Sequence, residues 1–239
     1  MRRVTSRKNQ IPSEVDMHSA NISAISRLRC GIDGPGIRTL VGFYGCPLRC
    51  KYCPNKFTYD GSHPPKSYTV EELIDAVKID RPYFDATNGG ITFGGGEPLL
   101  YSKFIEEFII KSINAQNGLA DSIVIETSLA VPNKQIVDFV ELMMGIPPVL
   151  SHGYDREFVL YIDVKTLNPR EYRKYTRKSI RNLMRNLQYI SNFRGIIKTV
   201  IRVPVIDGYV TEKSRRKTVE KLRKIGFYEI EEFTYTKFK

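Results

Sequence analysis

No apolar run in the chain approaches the roughly 18 residues of a membrane span. Its basic opening, MRRVTSRKNQ, is not followed by an apolar stretch. That opening therefore reads as neither a signal peptide nor an anchor, and a cytoplasmic location is the default expectation. Cysteine is scarce: 4 residues in 239, three of them within one short loop. A disulfide framework would spread even numbers of thiols across a short secreted chain, so this clustering points to metal or redox chemistry. Zinc-finger spacing, an RNP-type aromatic motif and any Lys/Arg block of five are missing, which argues against nucleic acid as a partner. There is no internal repeat and no low-complexity tract. What is plentiful is positive charge, with a net +11 from 37 Lys and Arg against 26 Asp and Glu. Such an excess favours an acidic partner.

Residues 1–20 are polar and aperiodic, so an N-terminal arm over 1–23 precedes a single domain over 24–239. Within that domain strand-like and helix-like segments alternate. Short runs rich in Ile, Val, Phe and Tyr predict strands at 39–44, 90–93, 122–126, 158–164, 196–203 and 227–233. Helical stripes lie between them: Val70, Leu73, Ile74 and Val77; Phe104, Ile105, Phe108 and Ile109; Ile136, Val137, Val140 and Met143; Leu183, Leu187 and Ile190; Val219, Leu222 and Ile225. Asn168-Pro169 reads as an N-cap followed by proline at the first helical position. The stretch 145–157, with Pro147-Pro148, reads as a surface insertion. Six strand–helix units imply an α/β fold with a parallel sheet and right-handed crossovers, either open or curved into a partial barrel. In both forms function sits at the C-terminal strand ends. The unusual residues fall there: a cysteine loop after the first strand, Gly94–Pro98 after the second, Thr127-Ser128 after the third, Lys165 after the fourth and Pro204 after the fifth.

The loop reads Gly45-Cys46-Pro47-Leu48-Arg49-Cys50-Lys51-Tyr52-Cys53-Pro54-Asn55. Its C-x3-C-x2-C spacing can wrap three thiolates round three corners of one iron–sulfur cubane, leaving the fourth iron open to a substrate. Two alternatives stand beside this: a structural zinc with His63 as fourth ligand, and a four-thiolate cluster completed by Cys30. A buried, unliganded thiol is the favoured reading of Cys30.

The loop resembles that of the radical S-adenosylmethionine superfamily. With Asp33-Gly34-Pro35-Gly36-Ile37-Arg38 just upstream, it is similar to the glycyl-radical-enzyme activating enzymes, over about residues 24–235. The resemblance implies a partial (β/α)6 TIM-like barrel, a curved parallel sheet with outer helices. It implies a single [4Fe–4S] cluster on Cys46, Cys50 and Cys53. S-adenosylmethionine would be held by Tyr52, Pro54, Asn55, Gly95, Gly96, Glu97, Lys165 and Thr166, with Asp33, Gly34, Pro35 and Gly36 as a substrate loop. It also implies a candidate monovalent-cation site at Glu126, Thr127 and Asp163. The implied activity is reductive cleavage of S-adenosylmethionine to a 5′-deoxyadenosyl radical. That radical would take hydrogen from a glycine of a partner glycyl radical enzyme, with flavodoxin or ferredoxin as electron donor under anaerobic conditions. The rival readings are radical chemistry on a small molecule, nucleoside or peptide, and a non-catalytic iron–sulfur or zinc module. Two features depart from the family pattern: Thr234-Tyr235-Thr236 stands where a histidine near the adenosine is usual, and the usual C-terminal helix is missing. Finally, Arg170, Arg173, Lys174, Arg177, Lys178, Arg181 and Arg185 would line one face of a continuous helix, a surface suited to an acidic partner.

Overall fold

The computed structural model describes residues 18–114, 119, 122–145, 157–193 and 195–235. In chain order its elements are β1 (Ser19–Cys30), β2 (Ile37–Phe43), β3 (Lys66–Thr69), α1 (Val70–Val77), α2 (Arg81–Thr87) and β4 (Gly90–Gly95). There follow α3 (Ser102–Asn114), β5 (Ser122–Thr127), α4 (Asn133–Gly145), β6 (Glu157–Asp163), α5 (Pro169–Thr176), α6 (Arg181–Ile190), β7 (Lys198–Val205), α7 (Glu212–Ile225) and β8 (Ile230–Thr234). One sheet holds all the strands in the order β3-β1-β2-β4-β5-β6-β7-β8. From β2 to β8 every neighbour is parallel. Each of these strands lies beside its predecessor, so all crossovers fall on one face and the sheet curls round the other. This is the expected partial (β/α)6 barrel.

Alternation along the strands separates the two faces. Val41 and Phe43, Ile91 and Phe93, Ile123 and Ile125, Leu160 and Ile162, and Ile201 and Val203 are buried in the main core. That core joins the sheet to helical residues such as Phe104, Phe108, Ile136, Leu183, Leu187 and Leu222. The intervening residues line the concave side. Val124, Val159 and Val200 form a separate small apolar layer there, and polar groups lie above and below it. The floor is Arg38, fully buried. Its guanidinium donates to Thr92 Oγ1 at 2.7 Å, Ile91 O at 2.7 Å, Ser122 Oγ at 3.0 Å, Ser122 O at 3.1 Å and Pro35 O at 3.2 Å. Five acceptors from three segments thus converge on one planar fork, a geometry lysine could not satisfy.

Helix signals act as expected at several ends. Asn168 accepts from the amides of Arg170 and Glu171, with Pro169 at the first helical position. Thr211 caps α7, and Gly226 in the left-handed region ends it. Thr69 and Glu72 make a reciprocal capping box at α1.

The structure departs from the sequence expectations in four places. First, β1 and β3 extend the sheet antiparallel beyond β2. The boundary expected after residue 23 therefore falls inside β1; residues 1–17 are outside the described set. Second, α5 and α6 are two helices, not one. Arg177 turns left-handed at φ 64° and ends α5. Third, Cys30 is exposed, not buried. Fourth, the strands expected at 196–203 and 227–233 begin later, at Lys198 and Ile230. Of the insertion expected at 145–157, residues 146–156 lie outside the described residues, and Gly145 and Glu157 end α4 and begin β6. Among those described, no helix is long and apolar enough to cross a membrane.

Arg38→Met should cost about 3 kcal/mol or more, because it strands several buried acceptors together. Urea unfolding of the purified chain measures this. A loss below about 1 kcal/mol would mean that the five bonds contribute little net stability.

Candidate active site

The cysteine loop leaves the C-terminal end of β2 and is held from three sides. Gly96 N donates to Phe43 O at 3.0 Å and Glu97 N to Gly45 O at 2.8 Å, so the glycine turn after β4 is bonded directly to the loop's root. A Cβ on Gly96 would lie 2.2 Å from Gly45 O, and one on Gly95 2.7 Å from Gly42 Cα. Both positions require glycine by contact alone, and Gly95 also has φ +82°. On the loop's far arm, Asn55 Nδ2 donates to Gly95 O at 2.9 Å. On the third side, Arg49 N donates to Thr176 O at 2.9 Å and Lys51 N to Tyr175 O at 3.1 Å. The C-terminal carbonyls of α5 are thereby used by the loop. These are carbonyls that a helix end leaves without intrahelical partners.

Cys46, Cys50 and Cys53 are each partly shielded free thiols. Burial, reinforced by the charge of Glu97, pushes the Cys46 thiol far up. Burial pushes Cys50 up to about 11, with Lys165 opposing. Such thiols hold their protons unless a cationic centre takes the thiolate, as iron would. Tyr59 also lies against Cys53, its hydroxyl held protonated by burial and by that thiol's charge.

Among the described residues, no three His, Cys, Asp or Glu side chains converge on a single-ion site. A tetrahedral zinc would need its thiolates about 2.3 Å from one point, whereas a cubane presents a separate iron to each. His63 packs edge-on against Phe57 and its ring nitrogen pairs with Ser62. Cys30 pairs with Ile37 at the opposite end of β2, about 20 Å of strand from the loop's root at ~3.3 Å per residue. Three thiols on one loop are a donor set that fits a [4Fe–4S] cluster; Cys30 lies too far along β2 to join them, and His63 is engaged with Phe57 and Ser62.

Glu97 is buried and accepts from Thr127 Oγ1 at 2.6 Å, Ser128 Oγ at 2.6 Å, Ser128 N at 2.9 Å and Leu99 N at 3.3 Å. Burial raises its pKa and these donors oppose the rise. With four acceptor positions filled, the carboxylate joins the ends of β4 and β5. The carbonyls of the glycine turn are what remains for a cofactor ammonium.

Across the mouth, Arg202 Nε donates to Asp163 at 2.9 Å and its NH1 to Glu126 at 2.9 Å, while Lys165 Nζ reaches Asp163 at 3.0 Å. Burial works against the Asp163 charge, yet Lys165 and Arg202 hold its pKa below the usual carboxylate range. Glu126 goes the other way, raised by burial against the pull of Arg202. The expected cation site is thus bridged by a guanidinium, and Thr127, its third member, is bonded to Glu97. A charged residue inside the apolar run Val200-Ile201-Arg202-Val203 was the sequence signal for Arg202.

The remaining expected residues are placed as follows. Tyr52 stands edge-on to Tyr209 at 5.5 Å and Tyr175 at 6.1 Å between ring centroids. Tyr235, at the position lacking histidine, donates its hydroxyl to Tyr52 O at 2.7 Å, with Lys165 Nζ 5.7 Å from its ring centroid. Pro54 is exposed. Thr166 is fully buried and bonds Glu171 at 2.9 Å, serving the β6–α5 turn. The 33–36 loop lies at the barrel floor, opposite the cysteines: Asp33 is paired with Arg29, a Cβ on Gly34 would meet Val124 at 3.0 Å, Pro35 accepts from Arg38, and Gly36 backs onto Gly89.

A curved parallel sheet with three thiols at its C-terminal mouth, beside a glycine turn, is a recognised architecture. The family model of the Radical SAM superfamily matches residues 40–222, and the chain belongs to that superfamily. Membership implies a [4Fe–4S] cluster and binding of S-adenosylmethionine. Among curated relatives, the pyruvate formate-lyase-activating enzyme of Staphylococcus aureus (strain USA300) is 46% identical over 76 residues. That match covers 32% of this chain and 30% of the relative, so the chain aligns with about a third of the relative's length. The fold is shared with Streptococcus suis SuiB bound to S-adenosylmethionine, at TM-score 0.58 and 13% identity over 83% of this chain and 42% of that one. It is shared too with anSMEcpe with bound AdoMet, at TM-score 0.55 and 17% identity over 80% and 49%.

Anaerobic reconstitution should load about four irons and four sulfides per chain. Cys46→Ala, Cys50→Ala or Cys53→Ala should each abolish the iron–sulfur absorbance, while Cys30→Ala keeps it. Loss of iron from Cys30→Ala would overturn the three-thiolate assignment.

Proposed function

We propose that the chain activates a glycyl radical enzyme, taking hydrogen from a backbone glycine of that partner. The observation that carries this reading is the likeness of one third of the chain to a pyruvate formate-lyase-activating enzyme. The Asp33–Arg38 motif ahead of β2 supports it. When bound, the cluster and S-adenosylmethionine supply one-electron reductive cleavage of the sulfonium and a radical able to abstract hydrogen.

The chain's own residues bind, orient and shield. Cys46, Cys50 and Cys53 would hold the cluster. The glycine turn Gly94–Gly96 would offer backbone carbonyls to an ammonium, and Lys165, charged beside Asp163 and Cys50, suits a carboxylate or hydroxyl. Tyr52, Asn55, Tyr209 and Tyr235 give an aromatic and amide wall for an adenosine. Arg202 stands in the proposed cation position, so an added monovalent cation is not needed to balance Glu126 and Asp163. The 33–36 loop, proposed to meet the substrate, would act from the barrel floor. Glycine is a sensible target because its Cα radical is shared by two flanking amides.

A flavodoxin or ferredoxin is the proposed electron donor, and its docking surface is α5. Arg170, Arg173, Lys174 and Arg177 are exposed on its outer side and make no ion pair in the described structure. The buried side of the same helix touches the cysteine loop.

Cluster-loaded protein, reduced with dithionite, should release 5′-deoxyadenosine and methionine from S-adenosylmethionine. With pyruvate formate-lyase as probe partner, a glycyl radical doublet should appear by electron paramagnetic resonance. Cleavage with no glycyl radical would favour a small-molecule or peptide substrate; no cleavage would favour a non-catalytic module.

Reversing Arg170, Arg173 and Arg177 to Glu should slow flavodoxin-driven activation several-fold at low salt. The difference should shrink as salt screens it, with dithionite-driven cleavage unchanged. Equal rates at low ionic strength would reject α5 as the docking surface.

A further inference from the structure

A charge drawn partly out of water is costly unless an opposite charge offsets it. Two cations at the barrel mouth are offset: Lys165 pairs with Asp163, and Arg202 with Asp163 and Glu126. Arg49, between Leu48 and Cys50 in the cysteine loop, is not. It is half-buried and makes no ion pair among the described residues. Its guanidinium is nevertheless fixed. NH1 donates to Cys46 O and to Leu48 O, the latter at 2.7 Å, and Cζ stands 4.4 Å from the centroid of the Tyr59 ring. Its backbone amide is tied to Thr176 O at 2.9 Å. The side chain therefore curls back over the loop that carries it, held at its amide, at a terminal nitrogen and across its flat face.

This arrangement puts a positive charge beside the first of the three thiols. The oxygen and the sulfur of Cys46 belong to one residue, so the NH1 bonded to that oxygen lies within about 7 Å of the sulfur in any rotamer. A neutral amide donor would serve the two carbonyls without the cost of shielding a charge, so hydrogen bonding alone does not account for arginine here. An unpaired guanidinium at this place suits an anion in the loop. Three thiolates round a [4Fe–4S] cluster supply one, and reduction makes it more negative still.

We propose that Arg49 raises the cluster's reduction potential, its fixed charge favouring the reduced over the oxidised state. This rests on the reading of Cys46, Cys50 and Cys53 as cluster ligands. The sign is Coulombic: a cation interacts more strongly with the more negative of two states. The carbonyl bonds and the Tyr59 ring keep the charge at one place on the loop. Arg49 is a positioning and tuning residue in this scheme, acting on the cluster and not on the substrate.

Potentiometric titration of anaerobically reconstituted Arg49→Gln and Arg49→Lys, followed by electron paramagnetic resonance, tests this, with iron and sulfide counted in each variant. Arg49→Gln should keep its cluster and show a more negative potential than wild type. Arg49→Lys, which keeps the charge but not the planar fork, should shift it less. Arg223→Gln removes an equal charge from the last turn of α7, at the floor end of the barrel, and should leave the potential unchanged. A wild-type potential in iron-replete Arg49→Gln overturns the proposal while leaving the cluster ligands in place. Equal shifts in the Gln and Lys variants also overturn it, because a role confined to loop shape would not distinguish them. An equal shift in Arg223→Gln does the same, by showing that net charge and not place is read. If Arg49→Gln takes up no iron, Arg49→Lys decides. Iron held by the Lys variant supports the charge, and iron lost from both shows that the arginine serves the loop's shape alone. Wild-type protein that takes up no iron would instead overturn the cluster reading itself.

Discussion

No side chain fits between Gly96 and the carbonyl of Gly45, and the candidate active site is built outward from that contact. A Cβ there would sit 2.2 Å from the oxygen. Because it is absent, two backbone hydrogen bonds join the turn after β4 to the root of the cysteine loop after β2. The same turn then places Glu97 where its carboxylate gathers Thr127 and Ser128 from the end of β5. Three adjacent strand ends are thereby fixed by one glycine and one buried acid. The root of the loop that carries the thiols is fixed by those bonds, which lowers the ordering cost of binding a cluster there.

Curvature explains the polar lining. A flat sheet would expose Arg38, Thr92, Glu126, Asp163 and Arg202 to water on one face. Curling the sheet shields them, and each must then find partners. Arg38 meets neutral oxygens at the floor, while Arg202 and Lys165 neutralise two carboxylates at the mouth. The Val124, Val159 and Val200 layer separates the two polar zones. A guanidinium between Glu126 and Asp163 supplies locally the charge that a bound cation would supply, and it cannot diffuse away.

Much of this was legible in the sequence because it is written in local patterns. The six parallel strands follow from short apolar runs between helical stripes. The cysteine loop, the glycine turn and the Asn168-Pro169 cap are contiguous motifs whose chemistry depends on neighbours in the chain. The missed features depend on partners far along it. β1 escaped because two register irregularities, between Ile22 and Ala24 and between Ser26 and Arg29, break the two-residue alternation that marks a strand. Cys30 read as a core thiol because its type is usually buried, but it ends an antiparallel strand at the barrel floor. Tyr175 and Tyr209 carry no motif and acquire meaning only when the cysteine loop is placed against them.

The division of the expected basic helix into α5 and α6 shows how such a long-range partner overrides a local pattern. Its charged spacing satisfies an uninterrupted helix, and nothing between Tyr175 and Ile180 forbids one. Yet the carbonyls of Tyr175 and Thr176 accept amides from Lys51 and Arg49, so Arg177 takes the left-handed turn that a helix end requires, without the glycine that usually makes it cheap. That strain is of the same order as the net worth of two backbone bonds, and leaving the two loop amides unpaired would cost more than either. The result is a helix of two turns lying over the cysteine loop, with Tyr172 and Tyr175 facing inward and Arg170, Arg173 and Lys174 facing water. A continuous helix would carry the same charges but would leave the loop amides unpaired, so the break is what lets the helix with the basic outer side hold the cysteine loop on its inner side.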